Sequence, residues 1–255
     1  AYRFGLGMGK ELRAIGINMD YAPVLDVHSN PINPIIGQRS LDTDPKKVAR
    51  LGAELIRGFY DAGVIPVGKH FPGHGDTSQD SHLTLPRVER TRESLEKTEL
   101  TPFAHAIQQG LEVIMSAHVV YPAWDAEQPA TFSPTIMNEL LRKTLQFDGL
   151  LISDDLEMQA IDQKLESIPK LGTQAGIDLF LICHDLDKVT ALQDAMIRDI
   201  ETGRIPHATI EQSLARIFKV KQRLKILEGF DSDFKSILKE NQNLAQEMQA
   251  FTNNK

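Results

Sequence analysis

Cysteine is nearly absent from this 255-residue chain. Cys183 stands alone, so no intrachain disulfide can form and the sequence is not built around an oxidising compartment. A cytoplasmic location is the expectation. Long hydrophobic runs are missing too: none approaches the roughly 18 residues of a membrane helix, and the opening Ala1-Tyr2-Arg3-Phe4 lacks the layered regions of a signal peptide. No membrane partner is expected. Basic excess is lacking, since 28 Lys and Arg face 35 Asp and Glu for a formal charge of −7. Without a basic stripe the chain has no footprint for a phosphate backbone, which argues against nucleic acid. No GxGxxG or Walker motif is present. Gly5-Leu6-Gly7-Met8-Gly9 precedes no strand-turn-helix unit and reads as helix packing. Neither short repeats nor a linker-like shift in composition interrupts the chain, so residues 1–230 read as one unit followed by a polar tail at 231–255.

What the sequence does have is alternation. Short apolar, β-branched runs at Ile17–Ala22, Val64–Val67, Glu112–Ala117, Gly149–Ser153 and Ile177–Cys183 read as buried parallel strands. Between them lie segments of helical period: Tyr2–Ala14, Pro45–Ala62, Glu99–Gln109, a helix from Ser133-Pro134 to about Gln146, Leu186–Thr202 and His207–Leu227. Ser133 is placed to cap and Pro134 to open its helix. The tail Ser232–Thr252 carries only a thin apolar stripe and would make a surface helix. Consecutive β-α-β crossovers give an α/β class, either a doubly wound open sheet or a closed (β/α) barrel. Four of the five strands run into residues able to do chemistry: Asp26, Lys69-His70, His118 and Asp154-Asp155. Function gathered at many strand C-termini favours the mouth of a (β/α)8 TIM-type barrel, of which about five units are present and about three would lie upstream.

The densest polar cluster is Lys69-His70-Phe71-Pro72-Gly73-His74-Gly75-Asp76-Thr77, continuing to Asp80-Ser81-His82. Lys69 and His70 follow the second strand closely and read as substrate ligands held on a rigid element. The plain alternative is a solvated lysine and a structural histidine. Asp80 and His82, two residues apart, can share one face of an extended segment, where the carboxylate would hold one imidazole nitrogen and raise the basicity of the other. That makes His82 a candidate general acid/base, although such a pair is common on surfaces. In Gly149-Leu150-Leu151-Ile152-Ser153-Asp154-Asp155 a buried strand ends in two carboxylates. Side-chain alternation would turn one into a barrel mouth and the other sideways. One could act as a nucleophile paired with a distant proton donor, the logic of retaining glycoside cleavage, or it could simply cap a helix. Arg39, in Asn33-Pro34-Ile35-Ile36-Gly37-Gln38-Arg39-Ser40, offers a planar donor fork for hydroxyls or a carboxylate.

Together these segments resemble the β-N-acetylhexosaminidases of glycoside hydrolase family 3, bacterial enzymes that remove N-acetylglucosamine during peptidoglycan recycling. The resemblance rests on Ala22-Pro23-Val24-Leu25-Asp26-Val27, Ile36-Gly37-Gln38-Arg39-Ser40, Lys69 to His82 with Leu85-Pro86, Ala117-His118-Val119-Val120-Tyr121-Pro122, and Phe147-Asp148-Gly149 through Ser153-Asp154-Asp155-Leu156. It runs from about Ala1 to Leu227. It implies a (β/α) barrel, retention of configuration, Asp154 as nucleophile, His82 as acid/base with Asp80 orienting it, and Arg39, Lys69 and His70 binding the sugar. No metal and no organic cofactor are implied. The partner is a small carbohydrate, an N-acetylglucosamine-containing muropeptide, bound by a monomer. Residues 1–230 would then be the catalytic barrel portion. The family's earlier strands supply a further Asp and Arg to the sugar, so this chain is expected to be the C-terminal majority of an enzyme, poorly stable and weakly active alone. Glu157 stands where smaller residues occur in some relatives, either narrowing the floor near the acetamido group or facing outward.

Three rival readings remain open at the level of sequence. A phosphorylase of the same family would use phosphate in place of water. A metal site could be assembled from His70, His74, Asp76, Asp80 and His82, although they show no fixed ligand spacing. A non-catalytic module would hold muropeptides without cleaving them.

Overall fold

The structure, a computed structural model, describes residues 1–79, 84–224 and 234–253. Several of its helices begin at a side-chain cap. The first helix, α1 (Tyr2–Ala14), leads into the two-residue strand β1 (Met19–Asp20). Helix α2 (Pro45–Asp61) starts with Pro45 after Asp44, whose carboxylate accepts the Lys46 N–H at 2.9 Å. The strand expected at Val64–Val67 runs further than its apolar residues: β2 (Ile65–Pro66) pairs with β1, and β3 (Gly68–Phe71), which includes Lys69 and His70, pairs with β4 (Val113–Ser116) while Lys69 still bridges to Val24.

Between β3 and β4 lie α3 (Arg92–Lys97), with Thr91 as its cap, and α4 (Leu100–Gln108). After β4 comes an antiparallel hairpin, β5 (Val120–Tyr121) with β6 (Asp125–Pro129), which periodicity did not reveal. The expected helix after Ser133 is wound as a π-helix over Thr135–Thr144, with Ser133 Oγ accepting the Ile136 N–H at 3.2 Å. β7 (Leu150–Asp155), α5 (Ile168–Ala175), β8 (Leu179–Leu181), α6 (Leu186–Glu201), α7 (His207–Arg223) and α8 (Phe234–Asn253) complete the order.

The five strand positions match the five apolar runs, and the main ladder β3-β4-β7-β8 is parallel throughout, as is β1-β2. Parallel strands wrapped by helices give the mixed α/β architecture of a TIM-type barrel domain. Alternation along the strands sends side chains to two faces. Ile114, Ala117 and Leu151 pack with residues of α2, α4 and the π-helix, such as Ile56, Phe103 and Met137. Val67, Val113, Met115, Leu150 and Ile152 pack instead with Ile217 and Val220 of α7.

Helix α1 crosses α2 at close range, and glycines on both helices permit it: a Cβ on Gly5 would stand 2.5 Å from the Leu55 carbonyl oxygen. A Cβ on Gly58 would stand 2.5 Å from the Tyr2 carbonyl oxygen and 2.6 Å from the Leu6 nitrogen. The polar tail helix α8 lies along the other side of α1, where Asn241 Nδ2 donates to the Gly7 carbonyl at 2.9 Å and to Glu11 at 2.6 Å.

The strand ends differ in chemistry. At the N-terminal end, buried Asp178 gathers Arg142 (3.0 Å), the Leu151 N–H (2.9 Å), Ser213 (2.7 Å) and Arg216 (2.9 Å). That joint is structural. The C-terminal ends carry Lys69-His70, His118 and Asp154-Asp155. Among the described residues no helix is long and apolar enough to cross a membrane.

Candidate active site

The site is organised from beneath by Asp26, which is fully buried between Leu25 and Val27. A carboxylate so placed must find donors, and it finds three. Its Oδ1 accepts the backbone N–H of His70 at 3.0 Å and of His74 at 2.7 Å, and its Oδ2 meets His70 Nδ1 at 2.7 Å. Burial alone would raise the Asp26 carboxyl, but His70 and His74 outweigh it and hold it below the usual carboxylate value. An ionised Asp26 only accepts, so His70 donates from Nδ1 and its Nε2 is turned to the cavity. The chain reaches this geometry through cis peptide bonds at Lys69-His70 and Phe71-Pro72.

Across the cavity, His70 Nε2 lies 3.9 Å from Asp154 Oδ2 at the end of β7. The Asp154 carboxylate also accepts the Asp155 N–H at 2.8 Å. Its desolvation is again outweighed, here by His70, His118, that N–H and Lys69, so its pKa sits below the ordinary value and the group is anionic at neutral pH. His118 supports the same strand end: its Nε2 donates to the Asp155 carbonyl at 3.0 Å, and its Nδ1 meets Thr131 at 2.7 Å. Burial lowers the His118 pKa, which keeps the ring neutral and makes Thr131 the donor to Nδ1.

Ile35, Ile36, Arg39, Lys69, His70, His74 and Asp154 line one cavity of about 170 Å³. Two cations therefore face one anion across a space with two apolar walls. Burial, with Arg39 alongside, lowers the Lys69 pKa, while burial and the neighbouring His70 push that of His74 down to about 4. His74 is neutral at pH 7.

Four of the six residues singled out from sequence, Arg39, Lys69, His70 and Asp154, thus meet in one hollow. Asp80 and His82 lie outside the described residues. Two further residues, Asp26, read from sequence only as a strand-end residue able to do chemistry, and His74, read only as a possible metal ligand, belong to the same construction. The signal for Asp26 was there: an aspartate enclosed by Leu25 and Val27 has to be partnered.

The described members of the metal reading, His70, His74 and Asp76, do not bring their ligand atoms together in one cluster; His74 Nδ1 meets Thr77 at 3.0 Å and Asp76 is bonded to Arg90 at 3.0 Å. Among the described residues, metal-type ligand atoms gather instead at Asp155, Glu157 and His184. Glu157 is already engaged there. Its Oε2 accepts the N–H groups of Cys183 (3.0 Å) and His184 (2.6 Å), and its Oε1 takes Lys188 at 3.2 Å, so it straps the β8–α6 connection and does not line the cavity.

Comparison with known proteins follows the same lines. Residues 1–220 match the glycosyl hydrolase family 3 N-terminal domain. The chain is 36% identical over 244 residues to beta-hexosaminidase A of Pseudoalteromonas piscicida, covering 88% of this chain and 41% of that protein. It is 40% identical over 190 residues to a beta-hexosaminidase of Idiomarina loihiensis, covering 74% and 56%. A solved family 3 beta-N-acetylglucosaminidase from Paenibacillus superposes with a TM-score of 0.85 at 43% identity, covering 89% of this chain and 46% of that one. The chain thus spans about half the length of these relatives. It belongs to glycosyl hydrolase family 3 and carries that family's N-terminal domain across residues 1–220.

Proposed function

We propose that the protein is a retaining β-N-acetylhexosaminidase that releases terminal β-linked N-acetylglucosamine, with peptidoglycan fragments as its substrates. The observation that carries this reading is Asp154: a carboxylate held anionic at a strand end, 3.9 Å from His70 and sharing one cavity with Lys69 and Arg39. An anionic carboxylate facing hydroxyl-binding cations is what attack on an anomeric carbon requires.

In this mechanism Asp154 displaces the leaving oxygen and forms a glycosyl-enzyme. His82, oriented by Asp80, protonates that oxygen and then activates water for the second displacement. Lys69, Arg39 and His70 hold the sugar hydroxyls, and Asp26 keeps the His70 proton on Nδ1, so that Nε2 can accept from a hydroxyl. The beta-hexosaminidase names of the relatives support the hexosamine specificity.

The test uses the intact gene product with an aryl N-acetylglucosaminide and a slow-releasing fluorosugar. Asp154→Asn is expected to lower kcat by roughly 10⁴-fold. Mass spectrometry should find the trapped sugar on the peptide containing Asp154. Undiminished turnover in the variant, or the label on another residue, overturns the assignment. Product release that depends on inorganic phosphate would make the protein a phosphorylase.

A further inference from the structure

Behind the cavity is a second carboxyl that the mechanism above does not use. Glu99 directly precedes α4 and is 1% exposed, yet its side chain makes no capping bond to that helix. It reaches the histidine-bearing loop instead. Its Oε1 accepts from Ser29 Oγ at 2.7 Å, three residues beyond Asp26, and its Oε2 is buried with no hydrogen-bond partner among the described residues. Gly73 backs directly onto it: a Cβ there, at a φ of +138°, would fall 2.6 Å from both Cβ and Oε2 of Glu99. The Gly73 carbonyl is held from the other side by the hydroxyl of buried Tyr121 at 2.5 Å. The next residue is His74, whose N–H anchors Asp26 and whose side chain lines the cavity.

The surroundings oppose a negative charge on Glu99. Asp26 and Asp76 both bear on it as like charges, while the cation that bears on it among the described residues, Arg90, is bonded to Asp76 at 3.0 Å. Among the described residues, the Tyr121 hydroxyl, itself pushed up by burial, and His74, which is neutral, also face it. Burial first, then Asp26 and Asp76, raise the Glu99 carboxyl to about 8, against the pull of Ser29 and Arg90.

We propose that Glu99 is a positioning residue: its protonated carboxyl wedges Ser29 against Gly73 and seats the loop carrying His74 over Asp26, and loss of that proton unseats the loop. The effect on turnover rests on the hydrolase reading above; the protonation does not.

The sign of the linkage follows from the raised value. The folded state keeps a proton that the unfolded chain releases near 4.5, so stability falls as pH climbs from about 4.5 to about 8 and then levels. Thermal midpoints of the intact gene product and of Glu99→Gln, which stays neutral, are measured from pH 5 to 9.5. The wild type is expected to lose roughly 5 °C or more relative to the variant by pH 8, with no further widening above. In parallel, wild-type kcat/KM should fall about tenfold by one unit above an inflection near 8, and that limb should be missing from Glu99→Gln.

A midpoint difference that does not change with pH overturns the protonated carboxyl. A changing difference with identical alkaline limbs overturns the positioning role. A wild type that hydrolyses no hexosaminide defeats the hydrolase reading, while the midpoints still decide the proton. If Glu99→Gln does not fold, a glutamate side-chain carboxyl carbon resonance of the wild type must titrate near 8, and its absence overturns the proposal.

Discussion

At the scale of single residues, the site depends on how buried carboxylates are satisfied. Asp26 and Glu99 are both enclosed, yet they are driven in opposite directions: Asp26 has three donors and is anionic, whereas Glu99 has one donor and two like-charged neighbours. Substituting Asn for Asp26 tests the first half of this contrast. With its oxygen left on the two backbone N–H groups, the amide presents its own N–H to His70 Nδ1, which must then accept. The His70 proton moves to Nε2, facing Asp154. We expect Asp26→Asn to lower kcat/KM by roughly 10²- to 10⁴-fold with the circular dichroism spectrum retained; a change under threefold would remove Asp26 from the positioning role. Because the Asp26 carboxyl is depressed, it contributes stability above its ordinary 3.8 that is lost as pH falls through its folded value. The variant should therefore unfold less steeply in acid. Arg39, Lys69, His70 and Asp154 were legible in the sequence because each sits at a strand end or in a motif-bearing loop. Asp26 and His74 were harder to read, since their roles come from backbone N–H groups, which a string of side chains does not display.

At the scale of elements, what was legible followed burial. Helices α1, α2, α6 and α7 begin where Tyr2, Pro45, Leu186 and His207 indicated, from amphipathic period throughout and, for α2 and α6, from the caps Asp44 and Asp185 as well. The hairpin of β5 and β6 was missed for a physical reason: its strands are short, one is largely exposed, and neither alternates. Ser133 explains why it is nonetheless secure, since its hydroxyl donates to Asp125 at 2.6 Å while accepting the Ile136 N–H of the helix beyond. The contact of α1 with α2 is the element-scale feature most open to test. At Gly58 the obstruction is main chain from Tyr2 and Leu6, which cannot rotate away. Gly58→Ala is expected to destabilise the protein by about 1–3 kcal/mol, read as a lower denaturant midpoint. A midpoint equal to wild type would mean that the two helices can separate without loss.

At the scale of the whole molecule, the parallel ladder gives a gradient of protection. β4 is paired on both sides and all four of its residues are buried, whereas β8 ends the ladder and its residues are only half-buried. Amide hydrogen exchange should follow that order, with β4 amides opening only by global unfolding and β8 amides exchanging at least about tenfold faster. Equal protection of the two would show that β8 has a further partner along its free edge. The fold class was legible because the alternation of strand and helix is a property of the entire chain. That the second strand would extend through the polar Lys69-His70 was not, since those residues are held in the ladder by backbone pairing with β4 and with Val24, which side-chain polarity does not display.

The buried Asp178 joint has a consequence for biosynthesis. Its donors are scattered from Arg142 to Arg216, so on a ribosome releasing the chain from its amino end the cavity carboxylate at 154 emerges long before the last clasp at the opposite pole exists. A nascent chain stalled ahead of Ser213 would hold Asp178 with only part of its entourage, and protease sensitivity of stalled chains should drop abruptly once that stretch clears the exit tunnel.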